Sequence, residues 1–407
     1  MKYYFQLAGI KNAMLCAILL LSGCSRHNSN LTVVPLPNPA AQGSITPNET
    51  AAPDGHVILS WVEPANGDMA LRYAIRSARE WSPPQTIVNR KNFDKYPEAP
   101  PWVLMLPNRS LISVWSERLP VVKGSKWAGN FLYLSASSDQ GRTWSTPAIV
   151  HTDRTDGEHS FASLAVDDDN HANIVWLDSR DYEKKHTYRM MSATIASTGS
   201  VSDEQTVDDD VCTCCPTSLV KTATGFLAAY RNHTSDEIRD MYTVREEAGK
   251  WQTGKSLNND GWHINACPVN GAALARRQNE VAIAWYTGIE DKSSLQVAFS
   301  DDGGATFPTV RKIDVANGEA QPLGRPAIAL MSTGHALVVW ITHENGKSHL
   351  VAAQVDNATP DVRRIDISQG SSDSIGYPRM QLIGAEALIS WGGTKESNVN
   401  STLVRTP

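Results

Sequence analysis

Three of the six cysteines crowd into four positions of VCTCCPTSL (211–219), and a fourth, Cys267, stands in NACPVNG. Sulfur at that density supports a disulfide staple, a thiolate metal site or a redox pair. The C-x-C-C spacing departs from the paired C-x-x-C usual for zinc. His159, His233 and His263 are the imidazoles that would complete a copper site. No thioredoxin-like C-x-x-C opens a helix, so redox chemistry is the least supported. The chain also carries acids suited to proton transfer, Asp94, Glu158 and Asp178 among them. Its arginines include Arg180, Arg231, Arg325 and Arg379, and a guanidinium grips a carboxylate through two parallel hydrogen bonds.

Something must bring these groups together, and the elements are legible as a repeat. Short apolar strands end in an aromatic residue at HVILSW (Trp61), SLISVW (Trp115), HANIVW (Trp176), GFLAAY (Tyr230), EVAIAW (Trp285), HALVVW (Trp340) and EALISW (Trp391). The aromatics are spaced by 54, 61, 54, 55, 55 and 51 residues. β-Branched enrichment, turn residues before most strands and a near-absence of helix signals predict an all-β array. A period near 55 residues predicts a β-propeller with one four-stranded blade per repeat. Seven motifs predict seven blades, with six as the alternative count. STLVRTP supplies a third strand to the last blade, and LTVVP (31–35) is available as its fourth.

Propeller topology sorts the remaining residues. The aromatic motifs mark second strands, so residues 12 to 18 positions earlier, and the few after each aromatic, converge on one channel mouth. That set contains Asp94, Tyr96, Glu98, Glu117, Arg118, Glu158, His159, Asp178, Arg180, Arg231, His233, Trp262, His263, Asn270, Arg325, Tyr377 and Arg379. Cys212, Cys214 and Cys215 enter the fourth blade where Cys267 enters the fifth. In an oxidising compartment this predicts a disulfide between Cys267 and Cys214 or Cys215, with a second bond involving Cys212. Metal binding by the four cysteines stays as the alternative, and no cofactor is expected.

The first 23 residues read as a secretion signal, with Lys2 and Lys11 ahead of an apolar core of eleven residues, AMLCAILLLSG, too short to span a bilayer. LSGC resembles the lipobox of bacterial lipoproteins. That resemblance implies lipidation of Cys24, and Ser25 after it implies the outer membrane. Loss of Lys2 and Lys11 takes the formal charge from −6 to −8. With no basic stripe, this argues against nucleic acid as a partner. Residues 24–50, rich in Asn, Pro, Ser and Thr, read as a tether, and 51–407 as the propeller, expected to be a monomer.

SSDQGRTW and SDDGGATF match S-x-D-x-G-x-T-W/F. They contribute Ser137, Asp139, Gly141, Thr143 and Trp144, and Ser300, Asp302, Gly304, Thr306 and Phe307. This pattern resembles the Asp box of the sialidase and BNR-repeat superfamily. The two copies lie 163 residues apart, about three repeats, and weaker copies end at Trp81 and Trp251. The box is a structural hairpin, so Asp139 and Asp302 are not expected to be catalytic. The resemblance implies a carbohydrate-active or glycan-binding protein, with an envelope protein or a bound metal as alternative partners. A sialidase holds a carboxylate with three arginines and uses a tyrosine nucleophile, a glutamate beside it and an aspartic acid. Here that implies Arg231, Arg325 and Arg379, with Arg180 as a fourth; Tyr377 or Tyr96; Glu158 or Glu98; and Asp94 or Asp178. DKYPEAP stands where the family's R-I-P signature is expected.

Overall fold

The computed structural model describes residues 31–121, 128–289, 292–318, 320–359, 362–371, 375–392 and 398–406. The secretion signal and Cys24 lie outside the described residues. Seven antiparallel sheets follow one another along the chain, and each seats its aromatic motif on its second strand. The blades run 45–90, 102–149, 159–211, 218–256, 273–315, 321–370 and 379–405. Blade four carries one extra short strand, Lys255–Ser256. Seven blades are therefore present.

Blade seven borrows its outer strand from the chain's other end. Thr32–Leu36 pairs antiparallel with Asn400–Arg405, setting Val34 opposite Leu403. The Thr402 hydroxyl donates to the Val34 carbonyl at 2.8 Å. This corrects the expected tether, because residues from 31 onward belong to the ring. Ile45–Ala51 is the first strand of blade one, with five of its seven residues buried.

Apolar side chains fill the spaces between blades. Leu104, Ile112 and Leu132 of blade two meet Leu164, Ile174 and Ile195 of blade three. Trp61, Trp176, Trp285 and Trp340 are fully buried and Trp115 nearly so. Burial of side chains this large stabilises by roughly 2–3 kcal/mol each.

Each indole N–H in these strands needs an acceptor, and an acid provides it. On a strand, residues i and i+2 share a face. Accordingly Trp61 donates to Glu63 at 2.6 Å, Trp115 to Glu117 at 2.7 Å and Trp176 to Asp178 at 3.0 Å. In blade six, Trp340 instead reaches Asp314 of blade five at 2.7 Å.

Both Asp boxes close the turn between third and fourth strands. Asp139 accepts from the Ser137 hydroxyl at 2.8 Å, the Thr143 N–H at 2.9 Å and the Thr143 hydroxyl at 2.6 Å. Asp302 repeats the pattern with Ser300 and Thr306 at 2.6, 3.0 and 2.7 Å. Gly141 has φ +87°, and a Cβ there would lie 1.9 Å from the Tyr73 hydroxyl of blade one. The turn thus needs glycine for conformation and for inter-blade contact. The weaker copies also bridge blades: Trp251 donates to Ser192 of blade three at 2.8 Å. Among the described residues no helix is long and apolar enough to cross a membrane.

Candidate functional site

The loops entering first strands and leaving second strands meet at one mouth of the channel. Two groups of charged side chains gather there, and Glu98 feels the charges of both. The first is built on Tyr377. Its ring is buried, and its hydroxyl donates to the Val269 carbonyl. The guanidinium carbons of Arg325 and Arg379 lie 5.0 and 5.7 Å from the ring centroid, in cation–π range. Burial pushes the Tyr377 phenol well above its usual value, so it stays neutral. Arg379 donates to the Pro97 carbonyl at 3.0 Å, and burial lowers its pKa to about 10.

Arg325 differs from the other arginines. Its backbone takes φ +56°, and its N–H donates to Asn270 Oδ1 at 2.7 Å. Gly324 before it, at φ +77°, has room for no side chain, since a Cβ would meet Asn270 Oδ1 at 2.4 Å. This backbone turns the Arg325 side chain toward a groove of about 450 Å³ lined by Trp262, Asn270, Tyr286, Leu323 and Ile375. Among the described residues no carboxylate pairs with its guanidinium within ion-pair distance.

The second group centres on two carboxyls. Asp94 accepts from Asn130 Nδ2 at 3.2 Å and from the Ser116 hydroxyl at 3.5 Å. Glu158 accepts from the Tyr188 hydroxyl. Burial raises Asp94, Glu98 and Glu158 above their ordinary values; Asp94 adds to the rise at the other two, and Arg118 opposes it at Asp94 and Glu158. Glu98 also feels Arg325 and Arg379, which lower it. Arg325, Glu98, Asp94 and Glu158 are therefore an electrostatically linked arc, cationic at one end and acid-bearing at the other.

Four expected site residues are spent inside the protein, which corrects their expected roles. Arg231 is buried and donates to three backbone carbonyls: Asn270 at 2.9 and 3.0 Å, Arg239 at 2.8 Å and Tyr286 at 2.8 Å. Its guanidinium stacks on Trp262 at 4.8 Å, so it joins blades four and five and has no free donor face for a ligand. Arg180 is held by Asp178 at 2.7 Å and Glu204 at 2.8 Å, Glu204 being on the outer strand of blade three. Asp178 is fully buried between the Trp176 indole and Arg180; burial would raise its pKa, but Arg180 and His159 hold it below the usual value. That leaves it a poor proton donor. His159 is fully buried, stacked on His151 with ring centroids 3.6 Å apart, and bonded to Asp153 at 2.9 Å.

Of the other expected residues, Glu117 accepts from the Trp115 indole and from Arg90 at 3.1 Å, and His233 pairs with Asp210 at 2.7 Å. Trp262 and Asn270 line the groove, the Trp262 N–H donating to Asp240 at 2.9 Å. Tyr96 is exposed, with Arg118 at 5.4 Å over its ring. The expected disulfide is not formed: Cys212, Cys214, Cys215 and Cys267 are free thiols. Tyr188 and Asn130 are site residues that sequence reasoning missed. Both open third strands, Tyr188–Ala196 and Asn130–Ser137, which lie outside the positions assigned to the mouth. The signal available was a polar or phenolic residue opening an otherwise apolar strand.

A seven-bladed ring with Asp-box hairpins and a charged channel mouth defines a BNR-type propeller. The family model described as BNR repeat-like domain matches residues 65–385, and the chain belongs to that family. Among solved structures, an ulvan lyase of a polysaccharide lyase family, bound to -[GlcA(1-4)Rha3S]-, superposes with a TM-score of 0.60 at 10% identity, covering 91% of this chain and 96% of the lyase. The α-L-arabinofuranosidase of Fusarium graminearum gives 0.48 at 13% identity over 93% and 97% of the two chains. A Hadza microbial sialidase gives 0.46 at 13% identity over 73% and 63%. No curated sequence relative matches the chain.

Proposed function

We propose that this propeller binds an acidic glycan at the channel mouth, with Arg325 as the carboxylate-binding group. The observation that carries this is Arg325 itself: a guanidinium without a carboxylate partner among the described residues, beside a groove walled by Trp262 and Tyr286. Aromatic walls suit the apolar faces of sugar rings, and a free guanidinium suits an acidic substituent. The ulvan lyase, whose bound ligand contains GlcA, supports the acidic class as an analogy of fold. Asp94 and Glu158, held toward the protonated state, are the groups that would give a bound glycoside its proton, with Tyr188 orienting Glu158. The LSGC segment supports an envelope location through a lipid on Cys24. The chain is proposed to act as a monomer.

The test is calorimetric titration with uronate- or sialate-capped oligosaccharides against neutral counterparts. Arg325→Gln should abolish the preference for the acidic ligands. Equal affinity for both classes in the unaltered protein, or an unchanged preference in Arg325→Gln, removes the proposal. Product analysis with the same glycans, in the unaltered protein and in Glu158→Gln, separates hydrolysis from binding alone.

A further inference from the structure

We propose that Cys212, Cys214, Cys215 and Cys267 form a thiolate site for a single soft d10 cation, Zn²⁺ or Cu⁺, that clips the entrance loops of blades four and five together.

The distances favour coordination over bonding between sulfurs. Cys212 Sγ lies 3.6 Å from Cys215 Sγ and 4.0 Å from Cys214 Sγ. A disulfide needs about 2.05 Å. Four sulfurs at ~2.3 Å from one zinc ion stand about 3.8 Å apart in a tetrahedron. The sulfurs of Cys212, Cys214 and Cys215 all lie within 4.8 Å of one another, close enough to share one ion. Cys267, exposed on the loop entering the neighbouring blade, stands outside that group of three and is the candidate for the fourth corner. Its thiol interacts with Cys214 and lies 3.8 Å from the Thr213 hydroxyl.

The surroundings are those a thiolate centre requires. Arg239 Nη1 donates to Cys212 Sγ at 3.2 Å, and the Asn270 N–H donates to Cys215 Sγ at 3.4 Å. Such donors stabilise sulfur carrying negative charge and fix its direction. Arg231 and Arg239, both buried, offset the net anionic charge of several thiolates around one cation. Arg239 is itself held by the Ile264 carbonyl at 3.1 Å and by Glu237 at 2.7 Å. Thiolate sulfur selects soft ions over magnesium or calcium. Binding releases the thiol protons, four if all four sulfurs enter as thiolates, and no oxidant or reductant takes part.

The decisive experiment uses the full chain, reduced and handled without oxygen. It is dialysed against Zn²⁺ in one arm and Cu⁺ in the other, and metal content and alkylation of thiols are measured in each. Expected is about one equivalent of at least one ion, with the cluster protected from alkylation; the arm that retains metal identifies the ion. Cobalt in place of zinc should give thiolate charge-transfer absorption, a signature that surface carboxylates do not produce. Cys212→Ser should lose the bound equivalent. Should that variant fail to fold, Cys267→Ser, at an exposed position, should lose cluster protection and weaken binding at least tenfold. Arg239→Gln should weaken binding about tenfold with the stoichiometry kept. A reduced chain that takes up neither ion, or one whose four thiols stay fully reactive in both arms, overturns the proposal.

Discussion

Arg379 Nη2 donates to the backbone carbonyl of Pro97 at 3.0 Å, joining positions 282 residues apart. The bond fastens the first strand of blade seven to the loop that carries Glu98 into the mouth. Burial brings Arg379 down only to about 10, so it remains a cation at neutral pH. Arg379→Gln leaves the Pro97 carbonyl without this donor. We expect a stability loss of about 1–3 kcal/mol, read as a lower urea midpoint at unchanged slope. Affinity for acidic glycans should fall with it, since the loop beside Arg325 loosens.

Acidic glycan binding should strengthen as the pH falls from neutrality. Asp94 lies above its ordinary 3.8, and Glu98 and Glu158 above their ordinary 4.5, with burial the largest cause. For acids raised in the folded state, the stabilising contribution is complete below the ordinary values and is lost as pH rises through the raised ones. As the pH falls from neutrality through the raised values toward the ordinary ones, these groups take up protons, and the mouth sheds negative charge beside Arg325. Titration of affinity and of urea midpoint across that window should show both rising toward acid. Glu158→Gln should flatten part of the slope. A pH-independent affinity in the unaltered protein would count against the arc as part of the site.

Arg231→Leu should destabilise strongly, by roughly 3 kcal/mol or more. It leaves three buried carbonyls short of a donor and removes the plane stacked on Trp262. Arg325→Gln, whose guanidinium bonds no backbone group among the described residues, should change stability by about 0.5 kcal/mol or less. Thermal melts of the two variants check the division between a structural and a ligand-facing arginine.

Gly141→Ala should cost more than 1 kcal/mol, because the residue is left-handed and its new methyl meets the Tyr73 hydroxyl. Gly67, also at positive φ but with open space around it, should lose less on the same change. Comparing their chemical melts separates backbone strain from inter-blade packing.

The blades were legible in the sequence because one large aromatic must be buried in each, at a fixed strand position. The site was legible only as a list of positions. Trp176-Leu177-Asp178 contains the reason: an acid two residues after a buried tryptophan is the indole's partner. Trp61–Glu63 and Trp115–Glu117 repeat the pattern. Sequence position places both Arg231, at the end of the second strand of blade four, and Arg325, in the first strand of blade six, at the mouth. It does not reveal that backbone carbonyls from two loops already occupy Arg231. Tyr188 escaped because it opens a third strand, outside the positions the topology assigns to the mouth, although its hydroxyl comes to Glu158.

Removal of residues up to 36 should leave Asn400–Arg405 as an open edge. Loss of the five pairings from Thr32 to Leu36 should lower the melting temperature and promote association through the exposed edge, visible by light scattering. Adding the excised strand as a peptide should reverse both effects.

That clasp also imposes an order of events. The strand synthesised early finds its partner only among the final residues, as the 368-residue span between Val34 and Thr402 shows. Blades one to six can assemble from nearby segments while the chain is still emerging. Blade seven must wait for the end, since contacts so distant in sequence form slowly. A chain cut short anywhere before residue 400 keeps a lone strand and an unsealed gap, and both mark it for quality control.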